Sequence, residues 1–288
     1  MPIFSIRAAH SFSIPCIDEQ VPPNIKAQLK AHCRESFRRI DLFTQLALLG
    51  SAQLVNGRML AADTALYLSS RFGSLDSTVT VHERILQAGD LPKPVHFINT
   101  LSNVAGYYVA RNLGLSGVNH FVSRDDASLL AALELARIGL VSGQISSALI
   151  GQVEEMPRPL NTHRQRLGIG SNFALVEDSH WLWIDVKQEA DQKTLGLLDD
   201  VATVAGEAEL KNWLAEQSRD AWLFVPDVAS VGVEIRRQFR HLPLELPYSP
   251  GQSAAALIAY LQGSYTEPLL VIIPDNAGRY SVLSCHSA

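Results

Sequence analysis

Cysteine is scarce in this chain of 288 residues: Cys16, Cys33 and Cys285 are an odd count, widely spaced, with no CxxC pair. That excludes a disulfide scaffold and a zinc knuckle and fits a reducing compartment. Positive charge is short as well, with 24 Lys and Arg against 29 Asp and Glu. The broad basic surface that binding to a phosphate backbone needs is missing, so no nucleic acid is expected as a partner. Glycine (18) and proline (14) are too few for a fibrous or low-complexity chain. No window approaches the ~18 consecutive apolar residues of a membrane helix. The first fifteen residues, MPIFSIRAAHSFSIP, are broken by Arg7 and His10 and hold no signal-type apolar core. The expectation is a cytoplasmic protein with no membrane span. His180, His241 and His286 stand in no metal-ligand spacing, so no metal is expected. Residues 167–172 (LGIGSN) have two glycines but no third and no following helix, which makes a poor dinucleotide fingerprint. No cofactor is expected.

What the chain does have is apolar residues, 47% against 18% charged, the balance of a protein with a large core. Short apolar runs alternate with helical periodicity, the pattern of a layered α/β architecture. Strands are expected over 3–7, 64–69, 118–123 and 147–151, and helices over 35–54, 99–113 and 127–140. Residues 158–166 read as a polar loop, with Arg158, His163, Arg164 and Arg166 solvated or forming a docking patch for an acidic carrier protein. Residues 172–176 and 181–186 read as two strands of a hairpin, turning at 177–180. The charged stretch 187–194 reads as a connection between a first half, 1–186, and a second, 195–288. In that second half helices are expected over 207–216, 231–239 and 252–261. Strands are expected over 221–225, 242–246, 269–273 and 280–285.

Several segments carry more than periodicity. FRRIDLFTQLA (37–47) resembles the arginine-and-aspartate helix start of the β-ketoacyl synthases. Residues 69–74, followed by an acidic helix, are similar to that family's second strand and glycine turn. FINTLSNVAGYYVARNLGL (97–115) is similar to its asparagine–alanine–glycine helix. Gly117-Val118-Asn119 matches the entry to its nucleophile strand, with valine for proline. ALIGQVE (148–154) resembles the strand ending glycine-glycine-x-glutamate, with Gln152 in a glycine position, and LGIGSNFALVE (167–177) the strand closing the first half. The resemblance implies a thiolase-like α/β fold: two stacked mixed five-stranded sheets with helices in layers, the second half shortened.

The same resemblance exposes missing chemistry. A condensing enzyme needs a thiolate at a helix N-terminus, where the dipole and free N–H groups lower the thiol pKa. It also needs two histidines to stabilise the developing oxyanion. Counting from Gly117, Asp126 falls at the cysteine position, with Asp125 adjacent. Both carboxylates suit the N-cap and first turn of a helix. Pro226 and Asp227 stand in the region of the first histidine, Pro250 and Gln252 in that of the second. Ser249 reads as an N-cap with Pro250 at the first helical position. No catalytic residue is therefore assigned.

The resemblance also places the nucleophile strand and the helix before it at a dimer interface. Asn103, Tyr107, Tyr108, Asn119, Phe121, Val122 and Ser123 become candidates for interface or acyl-tunnel residues. The function implied is that of a chain-length factor, a non-catalytic subunit. It would pair with an active β-ketoacyl synthase in polyketide or fatty-acid-type synthesis, with aryl polyenes as the product class. An acyl carrier protein is the further partner. The alternatives are a decarboxylase or hydrolase of acyl thioesters using Asp126 or Asp125, and a free-standing acyl-binding homodimer.

Overall fold

The computed structural model describes residues 4–171, 173–186, 194–227 and 231–288. Its strands are β1 (Phe4–Pro15), β2 (Ala65–Ser69), β3 (Asn119–Val122), β4 (Ser147–Glu154), β5 (Val176–Val186), β6 (Gly196–Ala205), β7 (Trp222–Phe224), β8 (Arg240–His241), β9 (Leu269–Pro274) and β10 (Arg279–Ser287). They form one ten-stranded mixed sheet in the order β3-β2-β4-β5-β1-β6-β10-β9-β7-β8. Read inward from either end, the two sets of five have the same order. The two five-stranded sheets expected from the sequence are therefore present and joined edge to edge. The join consists of three antiparallel pairs, Phe4–Ile6 against Gly196–Leu198. A side chain at Gly196 would strike the Leu261 side chain and the His286 carbonyl oxygen at about 2.5 Å, so only glycine fits this seam.

Alternation along the strands sorts the core into layers. In β9, Leu269, Val271 and Ile273 share one cluster, while Leu270 and Ile272 belong to another. The first cluster packs α6 (Ser128–Val141) and α10 (Gln252–Gln262) against both half-sheets and is the middle of the molecule. The outer face of the first half is covered by α2 (Leu42–Val55) and α5 (Asn103–Leu113), that of the second by α8 (Gly206–Ala215) and α9 (Val233–Arg236). The result is helix, sheet, helix, sheet, helix. The small α1 (Lys26–His32), α3 (Leu75–Glu83), α4 (Pro94–Ile98) and α7 (Leu160–Arg166) lie in the connections of the first half.

A bulge shapes β1. Its register with β5 slips between Ile6 and Ala8, leaving Arg7 unmatched. Phe4 and Ile6 join the central cluster and Ala8 the outer one, although equal parity would put all three on one face. Arg7 itself pairs with Asp185 at 2.8 Å.

Several sequence expectations need correction. β5 runs unbroken through 177–180; no hairpin turns there, because the polar run Glu177-Asp178-Ser179-His180 is buried and paired rather than exposed. Residues 158–166 include α7 instead of being loop throughout. The helix expected from 35 starts only at Leu42, since the Asp41 side chain accepts a hydrogen bond from the Thr44 N–H (2.9 Å) and caps it. The strand β8 precedes the expected 242–246, and β6 and α1 have no counterpart in the sequence reading. Of the connection 187–194, all but Thr194 lies outside the described residues. Among the described residues no helix is long and apolar enough to cross a membrane. None of their His, Cys, Asp and Glu side chains group to hold a metal ion.

Candidate functional site

The turn between β3 and α6 is where the resemblance places a nucleophile. Asp125 there has φ of 45°, in the left-handed region that L-residues seldom occupy. Ser128 fastens this turn: its hydroxyl accepts from the Arg124 N–H at 2.9 Å and lies 2.6 Å from the Asp125 carbonyl. With those polar groups satisfied, neither aspartate caps α6; Ala127 occupies the cap position without a side-chain bond. That corrects the capping expectation. Asp126 instead binds the Arg71 guanidinium at 2.5 Å. Burial pushes its carboxyl upward; Arg71 opposes this, and nearby Asp125 and Asp227 add to it.

The region expected to hold the first histidine thus approaches Asp126 through Asp227, while residues 228–230 lie outside the described residues. The second region is arranged differently. Pro250 is buried, Gly251 is the cap of α10, and Gln252 begins the helix. Ser249 does not cap: its hydroxyl accepts from the Gly251 N–H at 2.9 Å, holding the approach to the helix. Gln252 donates its side-chain amide to the Pro247 carbonyl at 2.9 Å. Tyr248 lies near Arg71, Asp126 and Glu154, and burial raises its hydroxyl above the ordinary tyrosine value.

Behind this turn lies a polar grid. Strand register aligns Ser69, Gln152, His180 and Ser11 in one row across β2, β4, β5 and β1, and Glu154, Asp178 and Ser13 in the next. The rows are linked. Ser69 donates to the Gln152 amide oxygen (2.5 Å), the Gln152 amide to Glu154 (2.6 Å), and Ser70 Oγ and the Arg71 N–H also donate to Glu154. Fully buried, Glu154 is pushed up to about 8, chiefly by desolvation and further by Asp178. The shift favours its protonated form near neutral pH. Glu155 points the other way. Its two carboxylate oxygens accept from the Phe43 and Asp76 N–H groups, in the first turns of α2 and α3, so one buried side chain joins two helix N-termini. Glu177 accepts from the Met156 N–H (2.6 Å) and pairs with Arg158 at 2.8 Å.

None of the three thiols is poised as a thiolate. Burial raises Cys33 to about 11 and holds Cys16 and Cys285 far above the ordinary thiol value, with Glu177 also raising Cys16.

The interface candidates divide. Asn103, Tyr107, Asn119 and Ser123 are exposed. Tyr108 packs edge-on against Phe37, and Phe121 edge-on against Phe43, so both are half-buried in their own chain. Val122 packs on the central cluster. Strand β3, which carries Asn119 through Val122, is one edge of the sheet, with β8 at the other. Phe97, Ile98 and Leu101, at or after α4, and Tyr107 on α5 leave an apolar surface exposed in the segment leading to that edge. The basic patch does not form. Arg158 is buried on Glu177 and His163 is buried beside Phe72. Arg164 donates to the Gly170 and Phe173 carbonyls, and only Arg166 is exposed. Sequence reasoning missed Arg71, Glu154, Glu155, Asp178, His180 and Ser11. For Asp178 and His180 the one signal is charge inside an otherwise apolar strand pattern, which reads as a turn; Arg71 and Glu154 fall in family-like segments without a role, and Ser11 carries no signal.

With this geometry in view, comparison with known proteins gives a consistent result. The family model described as the β-ketoacyl synthase N-terminal domain matches residues 23–168, just over half of the chain. No curated protein matches it by sequence. Among solved structures, the ishigamide ketosynthase/chain length factor aligns over 99% of this chain and 99% of its own, with TM-score 0.76 at 18% identity. One chain from the structure of a type II polyketide acyl-carrier protein in complex with its ketosynthase bound to the hexaketide aligns over 100% of both chains at 12% identity, TM-score 0.74. A β-ketoacyl synthase from Burkholderia phymatum aligns over 100% of both chains at 11%, TM-score 0.72. Identities this low speak for the fold alone, which is the thiolase-like one. The family match and that fold together place the chain in the β-ketoacyl synthase family, as a shortened member.

Proposed function

We propose that the protein is a ketosynthase-like subunit that performs no condensation itself and serves as a chain-length factor beside an active β-ketoacyl synthase. The observation that carries this reading is the pairing of Asp126 with Arg71 at the nucleophile position. A carboxylate held by a guanidinium offers no acyl acceptor, and the three thiols, raised by burial, offer none elsewhere. The absence of histidine from 225–227 and 249–252 supports the same reading, since the oxyanion would lack its donors. The free β3 edge and the apolar surface near it supply a place for the partner. Two structures of similar fold, a ketosynthase/chain length factor and a carrier protein with its ketosynthase, support a synthase as that partner and a carrier protein as visitor. The cytoplasm is the proposed compartment, and the aryl polyene product class rests on sequence resemblance alone.

The test is co-expression with each ketosynthase encoded beside it, followed by size-exclusion chromatography with light scattering and an acyl-transfer assay. A stable heterodimer is expected, with acyl label on the partner and none on Cys16, Cys33 or Cys285. Malonyl decarboxylation by the isolated chain, lost in Asp126→Asn, would favour the acyl-thioester decarboxylase. A soluble homodimer that ignores every synthase would favour the acyl-binding scaffold.

A further inference from the structure

The two polar rows end, at β1, beneath the start of α10. Ser11 and His180 are directly opposed across β1 and β5, and the Ser11 hydroxyl lies 2.8 Å from His180 Nδ1. The other ring nitrogen, Nε2, lies 3.1 Å from an oxygen of Asp178, within ion-pair distance but without the alignment of a hydrogen bond. Asp178 and His180 are two positions apart on one strand and so share a face. Both are about 99% buried. The second oxygen of Asp178 has no hydrogen-bond partner, and its carboxylate is pressed against Gly251, where even a methyl group would come within 2.8 Å. It therefore sits at the N-terminal end of an eleven-residue helix, where the helix dipole favours negative charge. Ser11, unlike its two partners, is partly exposed.

It opens on a cavity of about 240 Å³ that Ser11, Ser13 and Asp178 line together with apolar groups of Val176, Leu246, Ala255 and Ile258. Pockets for drug-sized ligands run to roughly 300–1,000 Å³, so this one suits a short acyl group and not a long chain.

We propose that Ser11, His180 and Asp178 form an ester-cleaving centre for short acyl esters or thioesters, separate from the Asp126 turn. It does not depend on the chain-length-factor reading. With the Nε2 proton on the Asp178 side of the ring, Nδ1 is the lone-pair nitrogen and accepts the Ser11 proton. Ser11 Oγ attacks the acyl carbon, forming the Oγ–C bond while its proton passes to Nδ1. Collapse breaks the bond from carbon to the leaving oxygen or sulfur, which takes the proton from the imidazolium. Water then attacks the acyl-serine, gives a proton to Nδ1 and releases the carboxylic acid, and the proton returns to Ser11 Oγ. Ser11 and His180 touch the reacting atoms. Asp178 is a positioning residue that holds the ring and its charge.

The experiment treats the full chain with a fluorophosphonate probe and maps the adduct by mass spectrometry, alongside hydrolysis of p-nitrophenyl acetate. The expected result is one adduct, on Ser11, with none in Ser11→Ala. His180→Gln should slow labelling by about 10²-fold or more, the contribution of a general base. Asp178→Asn should lower kcat for the acetate ester at least about tenfold when the rate is divided by the active fraction titrated with the probe, a normalisation that removes any loss of folded protein. Thermal melts accompany each variant. Should His180→Gln fail to fold, the wild-type and Ser11→Ala adducts decide alone, because that serine change removes only a hydroxyl. An unlabelled wild type, an adduct on another serine, or labelling at the same rate in a folded His180→Gln would overturn the proposal.

Discussion

The two halves of the sheet share a strand order and differ in what they turn toward the central helices. From the second half come Leu269, Val271, Ile273, Leu283 and Cys285, an apolar lining. From the first half, beyond a similar apolar strip, come Ser69, Gln152, Glu154, Asp178 and His180, all buried. One topology therefore hosts two kinds of interior. Strand order settles where side chains meet, and the residue types then decide whether the contact is dry or hydrogen-bonded. The polar interior is the costlier one, since each charge removed from water must be matched by a partner at close range. Most of its polar atoms are matched by residues far off in sequence, Ser70 and Glu154 being 84 positions apart and Ser11 and His180 169, while one Asp178 oxygen and His180 Nε2 have no hydrogen-bond partner.

The contrast can be broken most sharply at Arg158. Arg158→Met strands the buried Glu177 carboxylate and should cost about 3–5 kcal/mol in urea unfolding. The double change Arg158→Met with Glu177→Leu should recover most of that. A loss no larger than for surface substitutions would mean that the charges of the first half carry little stability.

A pH dependence comes next. Glu154 sits near 8 in the folded protein against an ordinary 4.5, so the unfolded chain releases this proton first as pH rises. The contribution is fully present below about pH 4.5 and is lost progressively up to about pH 8, by at most ~5 kcal/mol. Glu154→Gln, which stays neutral, should flatten the fall in stability between pH 5 and 8 measured by urea titration. An unchanged slope would point to Glu155 and Glu177, which burial moves in the same direction.

Two smaller changes sharpen the comparison. Asp41→Ala removes the cap of α2 in the first half and should cost ~1 kcal/mol. In the dry second half, Ile272→Val trims one methylene from a fully buried site and should cost about 0.5–1.5 kcal/mol. Both are read from the denaturant midpoint at constant m-value. An Ile272→Val effect as large as that of Arg158→Met would erase the distinction between the two interiors.

How much of this was legible beforehand follows the same division. Apolar periodicity located α6, α10, β2, β9 and β10 to within a few residues, because their partners need only be apolar and facing. The family segments placed the turn at Asp126. The polar grid was illegible for a physical reason. Glu177-Asp178-Ser179-His180 has the composition of an exposed turn, and only pairing with β1 and β4 makes it a buried strand. Arg158 and His163 misled in the same way, since a basic cluster reads as solvated until its buried partners are known. Asp125 and Asp126 suit a helix cap by residue type, yet Ser128 and Arg71 had already claimed the groups involved.

The unmatched Arg7 in β1 bears on how this strand could change by insertion and deletion. Phe4 and Ile6 reach the central layer from even positions, whereas Ser11 and Ser13 reach it from odd ones. One surplus residue reconciles the two counts. A codon lost between residues 8 and 15 would force part of the strand to face the wrong way. Loss of the Arg7 codon would restore an ordinary ladder with both faces intact, and would be felt chiefly through the abandoned charge of Asp185. Within a strand otherwise closed to length variation, that codon is the one place where a deletion leaves the reading of both faces in frame.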